Sequence, residues 1–219
     1  MDGFVVVGGY RGNLGLRLVD RLLRQEGLGV LGWDARTRSG QWWRPGDGQA
    51  EEVPDYGRAL ELAATAKLRG TVALNGRFRA ADFLAEPEDA EQEIFAANYF
   101  SVSGMLRDWI PEMVRGGSGI FVTVSTKGAV EPYGGAASYV ASKGALLSLT
   151  RALDCEFGPA GVRGHCIVAG PMHEDDNLAP GDGAAVGYGA VAAAICGLLE
   201  APQGGVSYLP AASGGGRRP

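Results

Sequence analysis

Ser138-Tyr139-Val140-Ala141-Ser142-Lys143-Gly144-Ala145-Leu146 is the stretch around which the chain can be organised. Tyr139 and Lys143 are four residues apart, so a helix sets them on one face, a turn apart. The residues that follow, through Leu153, favour a helix, and no proline comes before Pro159. A lysine one turn from a tyrosine favours the phenolate and draws the phenol down from its usual pKa of about 10. Such a tyrosine can pass a proton to or from an alcohol oxygen. A solvated pair on a surface helix has the same spacing, so the neighbouring segments have to decide between the two.

Upstream, Gly119-Ile120-Phe121-Val122-Thr123-Val124-Ser125-Thr126-Lys127-Gly128 is a short apolar, β-branched run that ends in hydroxyl residues and glycine. It predicts a buried parallel strand delivering Ser125 at its C-terminal end. In an open α/β sheet that end is where ligands bind. At the start of the chain, Phe4-Val5-Val6-Val7 predicts a strand and Leu16–Glu26 an amphipathic helix. Between them lies Gly8-Gly9-Tyr10-Arg11-Gly12-Asn13-Leu14-Gly15. Strand, glycine turn and helix form a dinucleotide fingerprint: glycines let the backbone approach a pyrophosphate, and the helix N-terminus faces its charge. Leu28–Trp33 predicts a second strand ending at Asp34, nineteen residues after Gly15. An acidic residue at that offset accepts the adenosine ribose hydroxyls and repels a 2′-phosphate. Arg11, Arg36 and Arg38 point the other way, since guanidinium groups bind that phosphate.

The glycine turn, Asn98, the strand and the YVASK segment, in this order along the chain, resemble the short-chain dehydrogenase/reductase family over nearly the whole sequence. The resemblance implies a single α/β domain over residues 1–212, a Rossmann-like, doubly wound, seven-stranded parallel sheet in three layers, with 213–219 as a tail. The spacing Gly9-x-x-Gly12-x-x-Gly15 is similar to the extended branch of the family, and the threonine that usually precedes the glycines is absent. Gln41–Gly48 reads as a hairpin or loop and Glu51–Asp55 as a poor third strand, with Asp55 implied against the adenine. Tyr56–Leu68 reads as helix and Thr71–Gly76 as the fourth strand and its turn, of whose usual family motif only Asn75-Gly76 remains. Phe83–Val114 reads as a long helix, interrupted near Pro87, that carries Asn98. Val162–Val168 gives the sixth strand, and Gly170-Pro171-Met172 stands where the family has a proline-glycine turn and, shortly after, a threonine on the carboxamide, which is absent here. A loop to Gly183, a helix over 184–200 and a last strand, Gly205–Leu209, complete the sheet. His173 reads as a solvated loop histidine.

The implied activity is interconversion of a ketone and a secondary alcohol with NAD(H) or NADP(H), NAD(H) being favoured by Asp34. Tyr139 is the implied general acid and base, and Lys143 tunes it and holds the nicotinamide ribose. Ser125 binds the substrate oxygen, and Asn98 keeps a proton-relay water. Ser125 stands three residues before Gly128, as in the family. Thr126 has the usual separation from the tyrosine, and an extra residue in the 131–135 turn reconciles the two in favour of Ser125. The short loop suits a flat or bulky ketone. Two rivals remain: a dehydratase, epimerase or isomerase on the same fold, suggested by the glycine spacing, and a cofactor-binding protein without catalysis, suggested by the reduced motifs.

Composition narrows the field. At 219 residues with 46% hydrophobic content, the chain suits one domain with a sizeable core. A net charge of −5 gives no electrostatic case for nucleic acid or an anionic membrane. Cys155, Cys166 and Cys196 are scattered, which argues against zinc or a disulfide framework and suits a reducing cytoplasm. No apolar run reaches a membrane span, and the first residues lack the features of a signal peptide. No metal site is expected. The family implies a homodimer or homotetramer.

Overall fold

The computed structural model describes residues 3–46, 49–174, 185–201 and 203–209. The expected boundary at 212, the tail after it and most of the loop to Gly183 lie outside these residues. Six strands run parallel: β1 (Gly3–Gly8), β2 (Leu28–Asp34), β5 (Leu68–Ala73), β6 (Gly119–Thr126), β7 (Val162–Ala169) and β10 (Gly205–Leu209). Two more, β3 (Ser39–Trp43) and β4 (Ala50–Val53), extend the sheet in antiparallel fashion beyond β2. The order is β10-β7-β6-β5-β1-β2-β3-β4, so the main sheet has eight strands where the sequence predicts seven.

The connection between β2 and β3 accounts for the difference. Register pairs Asp34 with Ser39, leaving only residues 35–38 to turn the chain. A parallel crossover needs a dozen or more residues, so the next strand has to return alongside β2. Arg38 closes this turn in the left-handed region, at φ 53, with its backbone N–H donating to Asp34 O at 2.8 Å. Trp42 then sits opposite Leu31 and packs edge-on against Phe4, ring centres 5.4 Å apart, which anchors the hairpin in the core.

Alternation along β1 divides the core into two layers. Phe4 and Val6 join Trp33, Trp42 and the apolar faces of α2 (Tyr56–Thr65), α4 (Ser101–Arg115) and α5 (Ala137–Phe157). Val5 and Val7 face α1 (Asn13–Leu23) and α6 (Tyr188–Leu198) through Leu18, Leu22, Val191 and Ile195. Helix, sheet and helix thus form the three expected layers, and the carboxyl ends of β1, β2, β5, β6 and β7 share one edge. A small second pairing joins β8 (Met172–His173) to β9 (Val186–Gly187). Among the described residues, no helix is long and apolar enough to cross a membrane.

The long helix predicted over 83–114 is built differently. After α3 (Glu88–Phe95), residues Ala96–Phe100 form one π-turn before α4 continues through Pro111. A π-turn inserts one residue into the helical register and is often found at functional sites. Here it carries Asn98, which is fully buried.

Candidate active site

A cleft of about 770 Å³ opens at the carboxyl edge of the sheet. The glycine turn forms one wall, Asp34–Arg36 one end, and Leu74–Arg77 with residues of the π-turn and α4 the far side. Gly9 adopts φ +71, and its carbonyl accepts the Gly12 N–H at 3.0 Å. A Cβ at Gly15 would lie 2.4 Å from Gly9 O, so glycine there lets α1 start tight against the turn. No side chain caps Gly12 at the N-terminus of α1, and no acidic residue lies in its first turn. The first amides of the helix are therefore available to an anion. Leu14 is buried beneath them, while Asn13 Nδ2 donates to Glu174 Oε1 at 3.1 Å.

Asp34 stands at the end of the cleft. Its Oδ1 accepts the Arg36 N–H at 2.9 Å and the Thr37 N–H at 3.4 Å. Arg38 is withdrawn from the cleft: its guanidinium lies 4.2 Å from the Tyr56 ring centre and donates to Asp108 Oδ1 at 2.8 Å. Arg11 lies 5.1 Å from the Tyr10 ring centre. Asp55 departs from its implied place. It caps α2, accepting the Arg58 N–H at 2.9 Å, and does not line the cleft. Because β4 is the outermost strand, the residue that follows it lies beyond the hairpin rather than beside β2.

On the opposite side, Asn75 Oδ1 is buried without a hydrogen-bond partner in the protein. A Cβ at Gly76 would lie 3.0 Å from Lys143 Nζ and 3.1 Å from Asn98 Oδ1. Gly76 is thus the point where the cleft meets the Tyr139 helix. The uncapped helix start, the carboxylate end and the orphaned Asn75 oxygen fit an elongated diphosphate with a ribose at each end, the shape of a nicotinamide dinucleotide.

Behind Gly76 the side chains form a buried lattice. Lys143 Nζ donates to Val124 O at 3.0 Å, and Ser125 Oγ donates to Lys143 O at 2.8 Å. Asn98 Nδ2 donates to Arg77 O at 3.0 Å and Ser142 Oγ at 2.9 Å, while its Oδ1 accepts the Arg77 N–H at 2.6 Å. Ser142 Oγ in turn donates to Tyr139 O at 2.7 Å. Burial lowers the Lys143 pKa to about 8, with nearby Cys166 pulling it upward. Burial also pushes the Tyr139 phenol up, and a hydrogen bond with the Thr126 side chain pulls it down. Sequence spacing predicts that Lys143 depresses this phenol; instead burial dominates, and Thr126 is the opposing neighbour.

The strand end places the two candidate hydroxyls differently. Successive side chains of a strand point to opposite faces. Ser125 is buried against the Lys143 carbonyl, whereas Thr126 is half-buried and its side chain favours the ionised Tyr139 phenol. Ser125, expected at the substrate oxygen, thus gives its proton to the backbone of α5, and Thr126 stands as the second candidate hydroxyl. Sequence reading assigned no role to Ser142, although the residue lies inside the Tyr139–Lys143 segment. Gly170 donates its N–H to Leu209 O at 2.9 Å, and Met172 is exposed; neither lines the cleft.

A sequence profile described as short chain dehydrogenase matches residues 63–178, more than half of the chain. The chain belongs to the short-chain dehydrogenase family. Dehydrogenase/reductase SDR family member 4 of Bos taurus is 29% identical over 174 residues, covering 77% of this chain and 57% of that protein. The 4-formylbenzenesulfonate dehydrogenase of Comamonas testosteroni is 34% identical over 113 residues, 50% of this chain and 44% of that one. The chain spans about half the length of the curated relatives it matches. In fold it is similar to a short-chain dehydrogenase of Streptomyces avermitilis, with TM-score 0.74 at 20% identity over 95% of this chain and 89% of the other. It is likewise similar to one from Burkholderia cenocepacia solved in complex with NADP, with TM-score 0.71 at 19% identity over 95% and 88%.

Proposed function

We propose that this short-chain dehydrogenase interconverts a ketone and a secondary alcohol, with Tyr139 as the proton-transfer group. One observation carries the reading: Lys143, a turn from Tyr139 on α5, is buried behind Gly76 on the wall of the nucleotide cleft. The bound nicotinamide supplies or accepts the hydride. In reduction, Tyr139 gives its phenolic proton to the carbonyl oxygen as the carbon gains hydride; in oxidation it takes the alcohol proton back. Burial favours the protonated phenol, the form needed for reduction. Thr126 donates to the same oxygen as charge develops on it. Lys143 holds the nicotinamide ribose through the opening at Gly76, and Asn98 fixes that turn by gripping both backbone groups of Arg77.

Cofactor choice follows from the opposite end. Asp34 presents one oxygen to its own turn and keeps the other for a ribose hydroxyl, and Arg38 is engaged by Asp108. NAD(H) is therefore preferred over NADP(H), whose 2′-phosphate would stand beside the carboxylate. The family's pairing helices, α4 and α5, support a homodimer or homotetramer, which light scattering would register as a multiple of the chain mass.

The test follows nicotinamide absorbance with a ketone panel, using wild type and Tyr139→Phe. Wild type should oxidise NADH, and Tyr139→Phe should lose at least ~10²-fold in kcat, the usual contribution of a positioned acid, with NADH affinity unchanged. A variant that retains most of kcat would remove Tyr139 from the mechanism.

A further inference from the structure

Tyr139 also meets an aromatic residue that the proton-transfer chemistry does not use. Phe78 packs edge-to-face on Tyr139, ring centres 4.9 Å apart and planes at 85°. It is nonetheless 61% exposed. An exposed phenylalanine is ordinary on a loose loop, but the segment around this one is pinned on both sides. Before it, Asn98 holds the N–H and the carbonyl of Arg77. After it, Ala81 N donates to Gly135 O at 2.9 Å and Ala81 bridges Ala136, at the start of α5. Glu86, largely buried, accepts from Ser138 of the same helix and lies 3.8 Å from Arg79. Phe78 is thus presented in a fixed place beside the reactive hydroxyl.

A second ring lies near. Tyr133 rests on Gly128, where a Cβ would come within 2.5 Å of its ring, and it is 48% exposed. Its hydroxyl is close enough to Tyr139 to oppose ionisation of that phenol. Two exposed aromatic faces beside a half-buried proton donor present a large apolar surface of defined geometry, of the kind rings stack on.

We infer that Phe78 and Tyr133 form the substrate wall of the site, that the substrate is a carbonyl compound attached to a flat ring, and that Phe78 sets this specificity. The inference rests on the carbonyl-reductase reading above. Ring substrates stack on Phe78 while their carbonyl oxygen reaches Tyr139 and Thr126. Saturated or open-chain ketones reach the same oxygen site without that contact.

The test compares three ketones of equal carbon number: acetophenone, cyclohexyl methyl ketone and 2-octanone, each with NADH and NADPH. Wild type should show its lowest KM for acetophenone. In Phe78→Ala, KM for acetophenone should rise at least tenfold with kcat within threefold, and KM for the other two should change less than threefold. Phe78→Tyr, which keeps the ring face, should retain the wild-type ranking. Equal loss on all three ketones would mean that Phe78 only supports Tyr139, and would overturn the inference. Turnover of 2-octanone as readily as acetophenone by wild type would overturn it too, while leaving the reductase reading intact. No turnover of any of the three would overturn the reductase reading and the inference with it.

Discussion

The two ends of the cleft are held together by different means. At the Tyr139 end, β5, β6, α5 and the π-turn are joined by buried hydrogen bonds between side chains and backbone: Lys143 to Val124, Ser125 to Lys143, Asn98 to Arg77. At the adenine end, the β2–β3–β4 meander is anchored by Trp42 in the core, and its side-chain polar contacts are largely exposed ion pairs such as Arg38–Asp108, Arg44–Glu51 and Arg58–Glu51. The family profile begins at residue 63, past the meander, and covers the Tyr139 end. Proton and hydride transfer demand reacting atoms in place to a fraction of an ångström, which buried, mutually satisfied groups can provide. Ribose recognition asks only that a carboxylate stand at the end of β2. A parallel strand with a crossover helix and a four-residue antiparallel turn both meet that demand, so this end is free to be rebuilt.

If the Tyr139 end is the rigid one, its titration should show in stability. Lys143 is buried with a pKa lowered to about 8 from 10.5. Below about pH 8 the folded and unfolded chains both hold its proton. Between about 8 and 10.5 only the unfolded chain does, so this group makes stability rise with pH across that window. The gain is on the order of 3 kcal/mol, at 1.36 kcal/mol for each pKa unit. Denaturant unfolding of wild type and Lys143→Met from pH 7 to 10 should show wild type gaining on the variant; parallel profiles would count against a buried, depressed lysine.

The adjacent hydroxyls should separate next. Thr126→Val should lower kcat by ~10²-fold, as for loss of one oxyanion donor. Ser125→Ala should leave kcat within a few-fold and destabilise the fold by about 1 kcal/mol, the worth of its bond to the Lys143 carbonyl. The reverse ranking in steady-state kinetics would return the role to Ser125.

Smaller effects belong to the meander. Asp34→Ala should raise KM for NADH about tenfold, equivalent to one charge-assisted bond of roughly 1.4 kcal/mol, and should narrow the preference over NADPH with kcat little changed. An unaltered KM ratio would show that Asp34 does not read the ribose. Smallest, Arg38→Ala should lower stability by no more than about 1 kcal/mol, since the guanidinium and its aromatic contact are partly exposed. Its KM values for both cofactors should match wild type; a shift confined to NADPH would put Arg38 back at the phosphate.

Much of this was legible in the sequence where local pattern and tertiary demand coincide. The β6–α5 unit is a β-branched run followed by an uninterrupted helix, and the glycine turn sits between an apolar strand and an amphipathic helix. What escaped was set by longer-range geometry. The eighth strand follows from the four residues between Asp34 and Ser39, a spacing visible only once both strand ends are known. The π-turn at Asn98 falls inside a stretch that reads as one continuous helix, and only the backbone shows where the extra residue is inserted. Ser125 and Thr126 differ only in strand face, which a motif spacing does not encode. Resemblance alone places Asp55 toward the adenine, yet aspartate before a helix is also a preferred N-cap, and with the strand reversed Asp55 caps α2.

The separation of the two ends can be measured directly in a double-mutant cycle of Asp34→Ala and Thr126→Val, followed in kcat/KM with NADH and a ketone turned over by wild type. Asp34 ends β2 and Thr126 ends β6, with β1 and β5 between them. Three strand spacings put them roughly 14 Å apart, beyond the 7–10 Å within which mutations usually couple. The account predicts that the two losses add to within about 0.5 kcal/mol. An interaction energy above about 1 kcal/mol would contradict it, because recognition of the ribose and transfer of the proton would then be one coupled event.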